Sequence, residues 1–280
     1  MRKCVNLFVA TLIVCGLYSF TNFSPAEPPS GAIYYQFKHM RDTTNTSRIW
    51  REDFVLVFNS QKSLYSSRTK QIQDSAHQAA LEAAMKANSE VINLGVFMPT
   101  TGEKIQLSEE ANNVLVQRTF QHTNYQIKES LEKIDWKIMP ATKEIHGYTC
   151  QQAIGACKGR IYTAWFTTDI PASFGPWKLH GLPGLILEAY DTDKRIHFTC
   201  TNILLGNSLP KNATVELPSD AVATTYNEYN RMEKTYRDGM SANTSFSNDD
   251  ATVEKITVNG SSAMPNKKQP TINYPLELTN

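Results

Sequence analysis

The chain has 280 residues, with 28 Lys+Arg against 27 Asp+Glu and a formal charge of +1. That balance gives no electrostatic footprint for nucleic acid, which calls for clustered positive charge. The length suffices for one large domain with a hydrophobic core, and no internal repeat or linker divides it before the C-terminal tail.

Residues 1–26 read as a secretory signal peptide. Arg2-Lys3 is the basic start, an apolar stretch from Cys4 to Phe20 follows, and Ser24 and Ala26 supply the small residues of a cleavage site. Asn6 and Thr11 interrupt the apolar stretch, which falls short of the roughly 20 apolar residues of a membrane-spanning helix. Lipid anchoring through Cys15 is the less favoured alternative, because Leu12-Ile13-Val14 lacks the small residue that usually precedes a modified cysteine. Export to the periplasm or cell envelope is expected. Cleavage after Ala26 would leave 26 basic and 27 acidic groups, a formal charge of −1.

Residues 27–240 are expected to form a single antiparallel-sheet domain. Ala32 to His39 reads as a first strand, with aromatic residues suited to a pleated surface. Phe54–Phe58 and Ser63–Ser66 flank Asn59-Ser60-Gln61-Lys62 as a hairpin. Ser75-x-x-Gln78 has the form of a capping box opening an alanine-rich helix that runs to Ala87. Val114–Val116, Phe120 and Tyr125–Glu129 suggest further strands. Lys143 to Ile203 is the most strand-dense stretch, with turns expected at Gly155, Gly175-Pro176, Pro183-Gly184 and Asp191–Asp193, which implies a meander. A second helix is expected from about Ser219-Asp220 to Gly239. Residues 241–280 form a polar tail with a short apolar end, Ile272 to Leu278.

Pro183-Gly184 fits the centre of a type II turn, which predicts positive φ at Gly184 as the chain enters the strand Leu185-Ile186-Leu187. After signal removal Cys150, Cys157 and Cys200 remain, an odd number for an oxidising compartment. Cys150 and Cys157 flank Gln151–Ala156, read as a hairpin loop, and are the disulfide candidates. Cys200 shares an apolar face with Ile196 and Phe198, which suits a buried, reduced thiol.

Catalytic templates are missing. There is no Gly-x-Ser-x-Gly elbow, no His-Glu-x-x-His helix and no Gly-Lys-(Ser/Thr) phosphate loop, so no catalytic residue and no cofactor is assigned. No two of the six histidines share a strand at i, i+2 or a helix at i, i+4, and no metal site is assigned. His180, Asp169 and Glu188 would form an acid/base set only if the fold gathered them, and nothing supplies a nucleophile. The aromatic cluster is more suggestive. Trp165, Phe174 and Trp177, with His180, crowd around Pro171 and Gly175-Pro176 and are either core or the rim of a groove for an apolar small molecule, a lipid or a peptide.

Several of these residues belong to one ordered pattern: Trp136, Ile145–Cys150, Gly159–Phe166, Asp169-Ile170-Pro171, Gly175-Pro176 and Gly181-Leu182-Pro183-Gly184-Leu185-Ile186. The chain closes on Asn273-Tyr274-Pro275-Leu276-Glu277. This pattern resembles the GLPGLI family of bacterial cell-envelope proteins, whose biochemical function is unassigned. Tyr274 is an insertion relative to the family's Asn-Pro-(Ile/Leu)-Glu ending. The resemblance implies an envelope location and carries over no catalytic residues. The expected fold is α+β, a curved antiparallel sheet with a few packed helices, by analogy an open half-barrel like the lipoprotein carriers. The expected function is non-enzymatic binding of an apolar or peptidic ligand, or of an envelope protein partner. The alternatives are a hydrolase-like enzyme of unrecognised type, an accessory to an outer-membrane transporter, or metal handling.

Overall fold

Alternation of apolar side chains builds most of this molecule from strands. The computed structural model describes residues 30–88, 98–246, 257–258, 261–262 and 272–278. The segment expected to be a signal peptide, with Cys15, and most of the expected polar tail lie outside the described residues. The first meander comprises β1 (Gly31–His39), β2 (Trp50–Phe58), β3 (Lys62–Ser67), β4 (Lys104–Ser108), β5 (Asn113–Phe120) and β6 (Thr123–Ser130), with α1 (Arg68–Lys86) between β3 and β4. The second comprises β7 (Lys137–Ile145), β8 (Tyr148–Cys157), β9 (Arg160–Thr167), β10 (Leu185–Asp191) and β11 (Ile196–Leu205), followed by β12 (Val222–Thr224) and α2 (Tyr226–Phe246).

Pairing of β1 with β11 joins the meanders into one open twelve-stranded sheet, ordered β12-β6-β5-β4-β3-β2-β1-β11-β10-β9-β8-β7. Every ladder in it is antiparallel except β12 against β6. With two helices beside the sheet, the fold is α+β. Tight turns set the registers. His146-Gly147 and Lys158-Gly159 carry positive φ at both positions between directly paired residues, the two-residue type I′ geometry that matches strand twist. The outer edges end differently. β7 is mostly exposed and its ladder shifts register between Ile138 and Thr142, around Pro140, whereas β12 is three residues long.

One face of the sheet, called inner here, holds the main core. Tyr35, Phe37, Leu56, Tyr65, Ile105 and Phe198 are among its buried side chains. Residues 168–184, between β9 and β10, lie against this face and bury Ile170, Phe174, Trp177, Leu179 and Leu182 in it. The Gly-Leu-Pro-Gly-Leu-Ile run closes this insert. Gly181 has φ of +86°, Leu182 is buried, and Leu185 and Ile186 are fully buried as β10 begins. The insert is tied to β10 through Leu185 N–H to the Ile170 carbonyl and Ile186 N–H to the Phe174 carbonyl, at 3.1 and 3.0 Å.

Several local expectations need correction. Gly184 does not adopt positive φ; a Cβ there would lie 2.0 Å from the Thr167 carbonyl oxygen, so glycine is required by close backbone approach to the end of β9. Gly155 marks no turn. It sits inside β8, where a Cβ would come within 2.7 Å of the Trp136 ring, so the missing side chain admits the indole. This also overturns the disulfide reading. Cys150 and Cys157 stand near opposite ends of the single strand β8, seven residues and roughly 23 Å apart at strand rise, and both are free thiols.

Helix α1 starts seven residues before the Ser75 signal. Ser67 caps it, accepting from Lys70 N–H at 3.0 Å, while the Ser75 hydroxyl donates to the Gln71 carbonyl within the helix. Helix α2 begins after Thr225, whose hydroxyl receives Glu228 N–H while the Glu228 carboxylate receives Thr225 N–H, and it continues past Gly239. The helices do not share one side of the sheet. α1 buries no residue and stands over the outer face, whereas α2 places Tyr229 in the main core.

Candidate functional site

Folding takes the aromatic residues selected from sequence into the interior. Phe174 and Trp177 are almost fully buried in the insert, Trp177 with φ of +58° and its ring 6.1 Å from that of Tyr162. Trp165 lies on β9 beside Glu188, its ring covered by Lys143 Nζ at 4.4 Å. His180 is buried too; its Nδ1–H donates to the Lys178 carbonyl at 2.9 Å, and Trp136 Nε1–H donates to the His180 carbonyl at 2.8 Å. Trp177 borders one small cavity of about 30 Å³ and His180 borders another of the same size, so these two do not face one space. Pro183 and Gly184 remain structural, by the close approach described above.

The acid/base set does not form either. Glu188 receives Lys143 Nζ at 2.5 Å and His197 Nε2 at 3.1 Å, while His180 faces the insert and Trp136. Burial is the main cause that raises all three thiols, Cys150 to about 11 and Cys157 and Cys200 to about 12, so each stays protonated and a poor nucleophile at neutral pH. Among the described residues no group of three or more His, Cys, Asp or Glu is placed to hold a metal ion.

A charged cluster that sequence reasoning did not single out closes the inner face. Buried Lys178 pairs with Glu129 at 2.7 Å and Glu277 at 2.8 Å; buried Lys158 pairs with Glu129 at 2.9 Å and Glu132 at 3.2 Å. Burial alone would raise Glu129, but the Lys178 charge and hydrogen bonds from Lys178, Tyr226 and Lys158 outweigh it and hold that carboxyl low. Glu277 is shifted the other way: burial raises it, the Lys178 charge opposes, and nearby Glu129 adds to the rise. Partners lie far apart in sequence here, which is why no local motif announced them.

The larger open space is on the outer face. The segment after β11 crosses back over the sheet toward β6, fixed by Gln106 Nε2–H to the Val215 carbonyl at 2.5 Å and Gln117 Nε2–H to the Pro218 carbonyl at 3.0 Å. Between this crossing segment and α1 runs a trough of two adjoining cavities, about 350 and 600 Å³. Leu64, Ser66, Gln71 and Thr214 line both. Ala32, Val55, Val57 and Leu64 give the floor its apolar character, while Arg68, Lys70, Asp74, Glu103, Lys104 and Glu216 set charges of both signs along the walls. One sequence signal pointed here: Phe54–Phe58 is apolar without alternation, so β2 must be covered on both faces.

Comparison with known proteins agrees with the architecture. At the level of class, an α+β protein with this open sheet is similar to PNGF-II. Its C2 crystal form matches at a TM-score of 0.51 and 16% identity, over 75% of this chain and 34% of that one. The P21 form matches at 0.49 and 16%, over 73% and 33%. The chain thus spans about a third of the length of PNGF-II, and the likeness is one of fold. Residues 156–188 match the model of a family described as a protein of unknown function (Porph_ging), which is the GLPGLI family. That match runs from the end of β8 into β10 and contains the insert. No curated protein matches the sequence.

Proposed function

We propose that this chain is an exported cell-envelope protein of the GLPGLI family that binds an extended peptidic ligand in the outer-face trough. The observation that carries this reading is the pair of adjoining cavities of about 350 and 600 Å³ sharing Leu64, Ser66, Gln71 and Thr214. A ligand site usually combines concavity, an apolar lining and a few polar groups that fix orientation. Here side chains of the ligand meet the partly exposed Tyr34 and Ala213 over the buried floor of Ala32, Val55, Val57 and Leu64, and its amides meet Gln71, Asn212 and Thr214. Mixed wall charge favours a polypeptide over a uniformly charged ligand.

The finer fold reading, a curved open half-barrel, is part of the same proposal. β6 and β8 stand nine steps apart in strand order, which a flat ladder would stretch to about 43 Å. The 2.9 Å contact of Lys158 with Glu129 supports curvature that brings these parts together. The inner face is filled by the insert and the C-terminal residues, so ligand binding is assigned to the outer face and not to Trp165, Phe174, Trp177 and His180.

The test is mass spectrometry of material co-purifying with the full chain from its native envelope, beside the Gln71→Trp variant. Gln71 is exposed on α1 and lines both cavities, so an indole there fills the trough. Peptidic material on the wild type and its loss from Gln71→Trp supports the reading; equal loading of the two proteins removes it.

A further inference from the structure

The inner face also carries a site that reads a peptide, and the peptide seated in it is the chain's own ending. Ile272–Leu278 belongs to none of the strands or helices. Side chains and isolated backbone groups hold it, each at a different residue. Asn273 accepts from Thr43 N–H at 2.9 Å and donates to Asp42 at 3.2 Å. The Tyr274 hydroxyl donates to Asp191 at 2.5 Å, and its ring lies 3.9 Å from the Arg160 guanidinium. Arg160 donates to the carbonyls of Pro275 and Leu276, and His39 Nε2–H donates to the Tyr274 carbonyl at 2.8 Å. Glu277 pairs with Lys178, and Leu278 N–H reaches the Lys158 carbonyl at 3.0 Å.

Two further observations give this the character of a receptor site. The groups that read the segment come from three separate elements, Arg160 from β9, Asp191 from β10 and Lys178 from the insert, and each is at least nine-tenths buried with the segment in place. Leu276 borders a cavity of about 30 Å³ walled by Phe37, Phe54, Tyr65, Trp177 and Phe198. The buried Tyr65 hydroxyl there has no hydrogen-bond partner among the described residues. Arginine to peptide carbonyls, a stacked tyrosine, an aromatic pocket for leucine and a lysine for glutamate together specify Asn-Tyr-Pro-Leu-Glu. Between Phe246 and Ile272 lie 25 residues, of which Thr257–Val258 and Ser261–Ser262 pair back on each other; the 19 outside 257–262 can span at most roughly 60 Å, enough to reach a neighbouring molecule.

We propose that this inner-face site accepts the Asn273–Leu278 segment of a second copy of the chain, so that two molecules associate by exchanging C-terminal segments. Within one molecule the tethered segment competes at an effective concentration on the order of millimolar, which keeps a free copy closed. Exchange dominates where the own segment is weak or copies are crowded.

Two full-length variants test this. Tyr274→Ala/Leu276→Ala weakens the segment and leaves the site; Arg160→Ala weakens the site and leaves the segment. Each sediments alone as a monomer, and the mixture gives a one-to-one complex. The first variant also binds a fluorescent peptide with the sequence of residues 272–280 at least tenfold more tightly than a scrambled one, and adding Arg160→Ala abolishes that binding. Near-ultraviolet circular dichroism establishes that the variants are folded. If they are not, the wild-type chain incubated with the labelled peptide at several millimolar decides the matter: saturable occupancy supports the proposal. Absence of both the mixed complex and peptide binding in folded variants, or occupancy below a tenth in the wild type, overturns it.

Discussion

The two faces of the sheet are built on different terms. Against the inner face the chain lays its own insert and residues 272–278, and Lys178 of the insert closes both by pairing with Glu129 and with Glu277. Against the outer face it lays one helix that buries no residue and one crossing segment, and leaves between them a trough with an apolar floor. The inner side holds the larger core; the outer side holds a smaller one, Ala32, Val55 and Val57 under Val215 of the crossing segment, with the open trough beside it. Aromatic density in the sequence marked the first of these, the larger buried core.

Truncation of Trp177 is the strongest way to break that contrast. As a nearly fully buried core residue, Trp177→Ala should lose about 3–5 kcal/mol in a denaturant or thermal melt. A loss under about 1 kcal/mol would return Trp177 to the rim of an open groove.

Acidification should weaken the inner side. Burial is the leading cause that lowers His39 from 6.5 to about 4, so between those values the unfolded chain binds the extra proton and the folded chain does not. The stability that depends on neutral His39 is thus present above about pH 6.5 and is lost as pH falls toward 4, by about 3 kcal/mol. Arg41 and Arg160 reinforce the shift, while the Tyr274 carbonyl and Asp191 oppose it. His39→Gln should flatten the melting-temperature profile across this window; an unchanged slope would assign it to other groups.

A pair of glycine variants sharpens the comparison inside the Gly-Leu-Pro-Gly-Leu-Ile run. Gly184→Ala should cost about 3 kcal/mol, because its Cβ collides with backbone. Gly181→Ala should cost only about 1–2 kcal/mol, the expense of positive φ where the nearest atom is 4.0 Å away. Equal melting temperatures for the two variants would contradict the close-approach account. The smallest effect belongs to the outer face: Gln71→Trp should alter stability by no more than about 1 kcal/mol while changing what the trough holds.

The strands were legible wherever their own side chains encoded them. Phe54–Phe58 with Ser63–Ser66 is the hairpin β2–β3, and the run ending in Leu185-Ile186 does specify the entry into β10. What stayed hidden depends on residues distant in sequence. Gly155 looked like a turn because the reason for its missing side chain is Trp136, and Cys150 and Cys157 looked like a ring closure because a continuous strand between them carries Gln151-Gln152. Helix α1 was placed late because its cap, Ser67, is also the last residue of a strand. The trough needs Thr214 and Gln71 to meet, and the peptide site needs Arg160 to meet Pro275; neither pairing leaves a local signature.

The register shift around Pro140 in β7 has a consequence for how the molecule behaves among its own kind. An open twelve-stranded sheet presents two rows of unspent backbone donors and acceptors, the ordinary template for fibrous growth. On one border the proline withholds a donor where the ladder is already out of step, with Lys137 and Lys143 on the same strand. On the other border β12 offers only three residues to a newcomer. Copies that meet border to border therefore find little to zip onto, and crowding does not by itself turn this sheet into a filament.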